Sequence, residues 1–131
     1  GTGKSFFAGC IANALLEQGV PVLMTNFSRI LNALSGLYSE EKNQYIDSLN
    51  QYSLLIIDDL GTEFATMFTA SELFRIVNDR KLRKRPVVIS TNLDYRALME
   101  QYSDRVMSRL IGEYTTLKFF GDDIRMKKKY R

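Results

Sequence analysis

No histidine occurs among the 131 residues, and cysteine occurs once, as Cys10. The first absence removes the commonest general base and the commonest zinc ligand. The second excludes an internal disulfide and a thiolate metal centre, and a reducing, cytoplasmic setting fits such a chain. No apolar run approaches the roughly 18–20 residues of a membrane-spanning helix, so no membrane partner is expected. No signal peptide is visible, and there is neither an internal repeat nor a low-complexity linker. What remains is a chain sized for one domain, with an apolar share of 45% that suffices for a real core.

The charge is unevenly placed. Lys and Arg number 18 against 15 Asp and Glu, a net +3. Residues 125–131 hold five of the cations and no anion, and without them the balance is 13 against 15, or −2. A second basic cluster, Arg80, Lys81, Arg83, Lys84 and Arg85, closes an expected helix. Two readings stand side by side. Such clusters contact nucleic acid phosphates, or they are solvated and favour a helix C-terminus.

Gly1-Thr2-Gly3-Lys4-Ser5 is the second half of G-x-x-x-x-G-K-[ST], and a helical pattern follows at once. In that loop the backbone N–H groups and the next helix's N-terminus face a polyphosphate. The Lys reaches the β/γ-phosphates and the Ser hydroxyl ligates Mg²⁺. The motif's first half and the strand before it would lie upstream of Gly1, so the sequence reads as a fragment opening inside a nucleotide site. A second signal agrees. Leu54-Leu55-Ile56-Ile57-Asp58-Asp59 is four apolar residues ending in paired acids. A buried parallel strand reads this way, and open α/β sheets bind ligands at the strands' C-terminal ends. Asp58 is placed to hold Mg²⁺ through water, and Asp59 to orient or activate the attacking water.

Periodicity and breakers predict a helix over 4–18 with Gly19 as its stop, and a short strand over 21–25. Helices are expected over 28–38 and 40–49, interrupted near Gly36, then a strand over 53–58 and a loop over 61–67. Thr69-Ala70-Ser71-Glu72 reads as a capping box opening a helix to about Arg83. A strand over 86–91, short helices near 95–101 and 103–111, and a last strand over 114–120 complete the chain. The alternation implies an α/β sandwich with a mostly parallel sheet. A strand upstream of Gly1 would sit inside that sheet, so residues 1–131 alone are expected to fold poorly.

These pieces together resemble a family. The half P-loop, Leu-Leu-Ile-Ile-Asp-Asp-Leu-Gly over 54–61, Ser90-Thr91-Asn92, and Asp-Arg-Val-Met-Ser-Arg-Leu over 104–110 are similar, in order and spacing, to the AAA+ ATPases of the bacterial DnaC/DnaI helicase-loader group. The IstB transposition ATPases are close relatives of that group. The resemblance runs from Gly1 to about Arg125. It implies a P-loop NTPase (AAA+) three-layer sandwich whose first strand and first half of the P-loop are missing here. It also implies ATP as the nucleotide, with a partner-binding N-terminal domain outside this sequence.

By the same resemblance, Gly1, Thr2, Gly3, Lys4, Ser5 and Phe6 form the phosphate cradle. Ser5 and Asp58 are the metal ligands, and Asp59 is the catalytic acid, where many AAA+ proteins carry Glu. Asn92 is the sensor beside the γ-phosphate, with Thr91 next to it; its alternative is a cap for the helix near Asp94. Arg109 resembles the finger that reaches a neighbour's γ-phosphate, with Arg105, four residues before it, as second choice. Arg125, in Gly121-Asp122-Asp123-Ile124-Arg125, resembles a sensor arginine acting within its own subunit. The stretch over 27–50 corresponds to one that contacts single-stranded DNA in loaders. It offers Arg29, Lys42 and Tyr45, with Tyr38, as cations and stacking faces, although the tyrosines could serve the core.

The implied function is an ATPase of helicase-loader type, assembled into a ring or spiral, hexameric when complete. It would control its grip on single-stranded DNA and on a hexameric DnaB-like replicative helicase. Two alternatives remain open. One is an IstB-like transposition ATPase acting on double-stranded DNA and a transposase. The other is a non-hydrolysing adaptor that uses the nucleotide fold as a scaffold, a reading kept alive by Asp59.

Overall fold

A computed structural model describes residues 3–63 and 66–113, with side chains as far as Ser108. The expected strand over 114–120, Gly1, Thr2, Arg125 and the basic end lie outside the described residues. So does the side chain of Arg109.

The described chain runs α1 (Lys4–Glu17), β1 (Val22–Asn26), α2 (Phe27–Leu34), α3 (Ser39–Leu49), β2 (Leu54–Leu60), α4 (Met67–Leu82), β3 (Val87–Thr91), α5 (Tyr95–Tyr102) and α6 (Asp104–Glu113). The strands pair in the order β1-β2-β3, all parallel. Parallel neighbours need long crossovers, and helices supply them here.

Side chains alternate across the sheet, and both sides are covered. Leu54 and Ile56 of β2 face Ala8 and Ala12 of α1, with Val22, Met24 and Val88 beside them. Leu55 and Ile57 face the main core, built from Phe27, Ile30 and Leu34 of α2, Leu73 and Ile76 of α4, and Tyr102 of α5. Two-sided burial is why β2 reads as an unbroken apolar run. Helices on both faces of a parallel sheet make the three-layer α/β sandwich that the sequence implies.

The helix limits differ from expectation in two instructive places. Helix α2 ends at Leu34, and Gly36 takes φ 80° in the turn before α3. Helix α4 begins at Met67, three residues earlier than predicted, because its cap is Thr66 rather than Thr69. The Thr66 hydroxyl accepts from the Thr69 amide at 3.2 Å, and the Thr69 hydroxyl accepts from the Thr66 amide at 2.8 Å. A Thr–Thr pair thus does the reciprocal work usually given to Ser/Thr and Glu. Glu72, assigned to the cap by sequence, is instead buried one turn inside the helix.

The basic cluster at the end of α4 is also redefined. Arg80 is fully buried. Its guanidinium donates to the carbonyls of Leu49 at 3.3 Å, Tyr52 at 2.9 Å, Ser53 at 3.2 Å and Pro86 at 2.9 Å. Arg83 pairs with Asp47 at 2.8 Å, and Arg85 donates to the Asn50 carbonyl at 2.6 Å. Three of the five cations therefore hold the α3–β2 and α4–β3 connections together, and Arg80 is closed to nucleic acid.

Candidate functional site

The C-terminal end of β2 does not continue as a regular strand. Ile57 pairs with Ile89 and Leu60 with Thr91, so Asp58 and Asp59 together stand opposite the single residue Ser90. That is a β-bulge, and bulges re-aim side chains near functional sites. Asp59, the extra residue, sits at φ 60°. Asp tolerates this left-handed region better than branched or bulky residues do.

Helix α1 meets this point end-on. Gly3 precedes it at φ 91°, a conformation that favours glycine, and its carbonyl accepts from the Phe7 amide at 2.9 Å. The following turn places the Ser5 hydroxyl 2.7 Å from Oδ2 of Asp58, to which it donates. Two residues 53 apart in sequence are thus joined at the opening of α1 and the tip of β2. Lys4 is half-buried beside Ser5, and Phe6 is exposed on the same turn.

Strand β3 completes the cluster. The Ser90 hydroxyl donates to Oδ1 of Asp58 and accepts from the Asp59 amide at 2.9 Å. The Asn92 carboxamide is a long 3.5 Å from Oδ1 of Asp59. Asn92 is not the cap of α5. That role belongs to Asp94, whose carboxylate accepts from the Ala97 amide at 2.9 Å. Thr91 turns inward, donating to the Leu60 carbonyl at 2.6 Å.

Ser90 is the residue that the sequence analysis left without a role. A hydroxyl interrupting the apolar strand Val87-Val88-Ile89 was the available signal. Glu63 bends back to accept from the Gly61 amide at 3.2 Å and so shapes the loop after the bulge. Gln101 of α5 steadies that loop through the carbonyls of Gly61 at 3.4 Å and Glu63 at 3.3 Å.

The backbone at Gly61 favours glycine. Its φ is 108°, and an added Cβ would lie 2.6 Å from Cδ1 of Leu93, next to Asn92. Gly61→Ala is expected to cost about 1–3 kcal/mol of stability through backbone strain, and its Cβ would displace the Leu93 side chain. Chemical denaturation of the full-length variant checks the first effect; wild-type stability would refute it.

The remaining predicted residues are spread wider. Arg105 is exposed on α6 without a side-chain partner among the described residues, while Val106 and Met107 anchor that helix in the core. Arg109 follows one turn later on α6. Arg29 is exposed on α2. Lys42 lies over the ring of Phe68 at 5.0 Å from its centroid. Tyr45 packs against the main core, and burial pushes its hydroxyl above the usual tyrosine range. Among the described residues, no helix is long and apolar enough to cross a membrane.

A phosphate-loop helix start, an acid-tipped central strand and a polar sensor strand beside it define a nucleotide-binding P-loop protein of the AAA+ fold. More narrowly, the chain belongs to the IstB-like ATP-binding protein family, whose model matches residues 1–131. It is 29% identical over 132 residues to the replicative helicase loader DnaC of Buchnera aphidicola subsp. Baizongia pistaciae, covering 97% of this chain and 54% of that protein. The crystal structure of DnaI superposes with a TM-score of 0.78 at 21% identity, covering 92% of this chain and 69% of that one. The replication initiator DnaA bound to AMPPCP and single-stranded DNA superposes with a TM-score of 0.73 at 22% identity, covering 86% and 35%. The chain spans about half the length of the curated relatives it matches.

Proposed function

We propose that this chain is the ATPase core of a helicase-loader-type DNA replication protein acting in the cytoplasm. The observation that carries the reading is the Ser5 hydroxyl seated on Asp58 at the tip of β2. A hydroxyl and a carboxylate are hard oxygen donors, and Mg²⁺ takes one or two such protein oxygens beside phosphate and water, so the pair fits that cation. When bound, Mg²⁺ neutralises charge on the phosphates during transfer.

The chain's own groups do the rest. The amides of Gly1, Thr2, Gly3, Lys4, Ser5 and Phe6 cradle the phosphates, and the Lys4 ammonium reaches the β/γ positions. Asp59 orients the attacking water, and Asn92 holds that water and the γ-phosphate. Arg125 contacts the γ-phosphate from within the subunit. Arg109, with Arg105 as second candidate, serves the neighbouring subunit's site, so hydrolysis depends on assembly into a ring or spiral. ATP state then sets the grip on single-stranded DNA, through the surface carrying Arg29 and Lys42, and on a hexameric replicative helicase. The similarity to DnaC, a replicative helicase loader, supports this choice of partner.

The IstB-like family match supports a second reading, a transposition ATPase that acts on duplex DNA. One experiment separates them: ATP turnover by the full-length protein, with single-stranded or double-stranded DNA, beside Arg109→Ala. Turnover is expected to respond to single strands and to fall by about 10³-fold or more in the variant, as for an arginine finger, while nucleotide binding persists. A response confined to duplex DNA favours the transposition protein. Wild-type turnover in the variant overturns the finger assignment. No hydrolysis with DNA and helicase present would leave a non-hydrolysing adaptor.

A further inference from the structure

The bulge puts one side chain of β3 against both acids at once. We propose that Ser90 is a positioning residue for the Mg²⁺–nucleotide complex. It fixes Oδ1 of Asp58, so that Oδ2, the oxygen shared with Ser5, is the one offered to the cation. The proposal rests on the nucleotide-site reading above.

The hydrogen-bond inventory gives the reason. A serine hydroxyl has one proton and two lone pairs. The Ser90 proton is committed to Oδ1 of Asp58, and a lone pair accepts the Asp59 amide at 2.9 Å. The hydroxyl is therefore oriented from both sides, and the chain Asp59 N–H to Ser90 O–H to Asp58 runs in one direction, which strengthens each link. The Ser5 hydroxyl is different. It donates to Oδ2 from α1 at 2.7 Å, and P-loop chemistry asks that same oxygen to turn a lone pair toward the metal. A lone pair would serve the cation and leave the Ser5 proton on Oδ2, while Oδ1 keeps Ser90. A carboxylate anchored at one oxygen presents the other in a fixed direction. The bulge makes this possible, because only a two-against-one pairing brings Asp58 and Asp59 opposite the same residue.

The test uses the full-length protein and a fluorescent, non-hydrolysable ATP analogue, with Kd measured in Mg²⁺ and in EDTA. The quantity read is the ratio of the two, the tightening due to Mg²⁺. For Ser90→Ala the ratio is expected to fall by about 10-fold, the usual scale for losing a group that orients a metal ligand, with Kd in EDTA within about twofold of wild type. Ser90→Thr, which keeps the hydroxyl, should restore the ratio. A merely structural Ser90 would weaken both affinities together and leave the ratio unchanged, which overturns the proposal. If Ser90→Ala also loses binding in EDTA, the near-isosteric Ser90→Cys is read by the same ratio, and a wild-type value there overturns it too. A wild-type protein with no Mg²⁺ tightening would sink the nucleotide-site reading itself, whereas normal tightening in both wild type and Ser90→Ala sinks only the role of Ser90.

Discussion

Asp59→Asn is expected to lower ATP turnover by about 10²–10³-fold, the scale of losing a positioned base, while nucleotide binding stays close to wild type. Asn is the informative replacement for two reasons. It tolerates the left-handed backbone that Asp59 adopts at φ 60°. It also keeps the amide that donates to Ser90. What it removes is the negative charge proposed to orient and activate water. The carboxylate lies apart from the Ser5–Asp58 pair, touching Asn92 rather than Ser5, so the groups proposed to hold the metal remain. Single-turnover hydrolysis beside equilibrium nucleotide binding, both in the full-length protein, decides the matter. Parallel loss of both would mean that Asp59 serves the metal instead. Unchanged turnover would mean that its role as water-orienting acid is wrong.

Arg80→Ala is expected to cost about 3–5 kcal/mol of stability, the scale of a large buried side chain truncated within a hydrogen-bond network. The carbonyls of Leu49, Tyr52, Ser53 and Pro86 would lose the guanidinium, and those of Leu49 and Pro86 would keep only the long backbone bonds from the Tyr52 and Leu55 amides. Each acceptor left unpaired in a dry site costs about 1–3 kcal/mol before relaxation. Domains of this size have about 5–15 kcal/mol in total, so the variant is expected to accumulate poorly. Arg80→Lys should recover only part of the loss, because an ammonium lacks the planar fork that reaches several carbonyls together. Urea denaturation of the two full-length variants measures both effects. A midpoint near wild type for Arg80→Ala would show that the connections hold without it.

The architecture was legible in the sequence because its signals are local and redundant. Leu54–Ile57 is a two-sided apolar run, Lys4-Ser5 stands directly before a helical pattern, and Asn92 follows a buried strand at once. Each needs only neighbouring residues to be read, and the structure brings Ser5, Asp58, Asp59 and Asn92 together at one end of the sheet. Ser90 stayed hidden for a different reason. Its partners depend on the register between β2 and β3, and the bulge shifts that register by one residue. No spacing within either strand encodes the shift. Arg80 was legible in principle. It continues the stripe of Leu73, Ile76 and Val77 on the buried face of α4, at helical spacing, but four neighbouring cations drew it into a solvent-facing cluster. The Thr66–Thr69 cap is obscured in the sequence because Glu72, three residues after Thr69, offers a more familiar pattern.

The left-handed backbone of Asp59 has a further meaning. A glycine would hold that conformation with less strain, so the chain would gain stability by giving up its carboxylate at this point. With the proposed role of Asp59, function and stability pull the same position in opposite directions. On the proposed role of Asp59, a relative that only binds nucleotide would have an easy route to a sturdier fold by a change at this bulge.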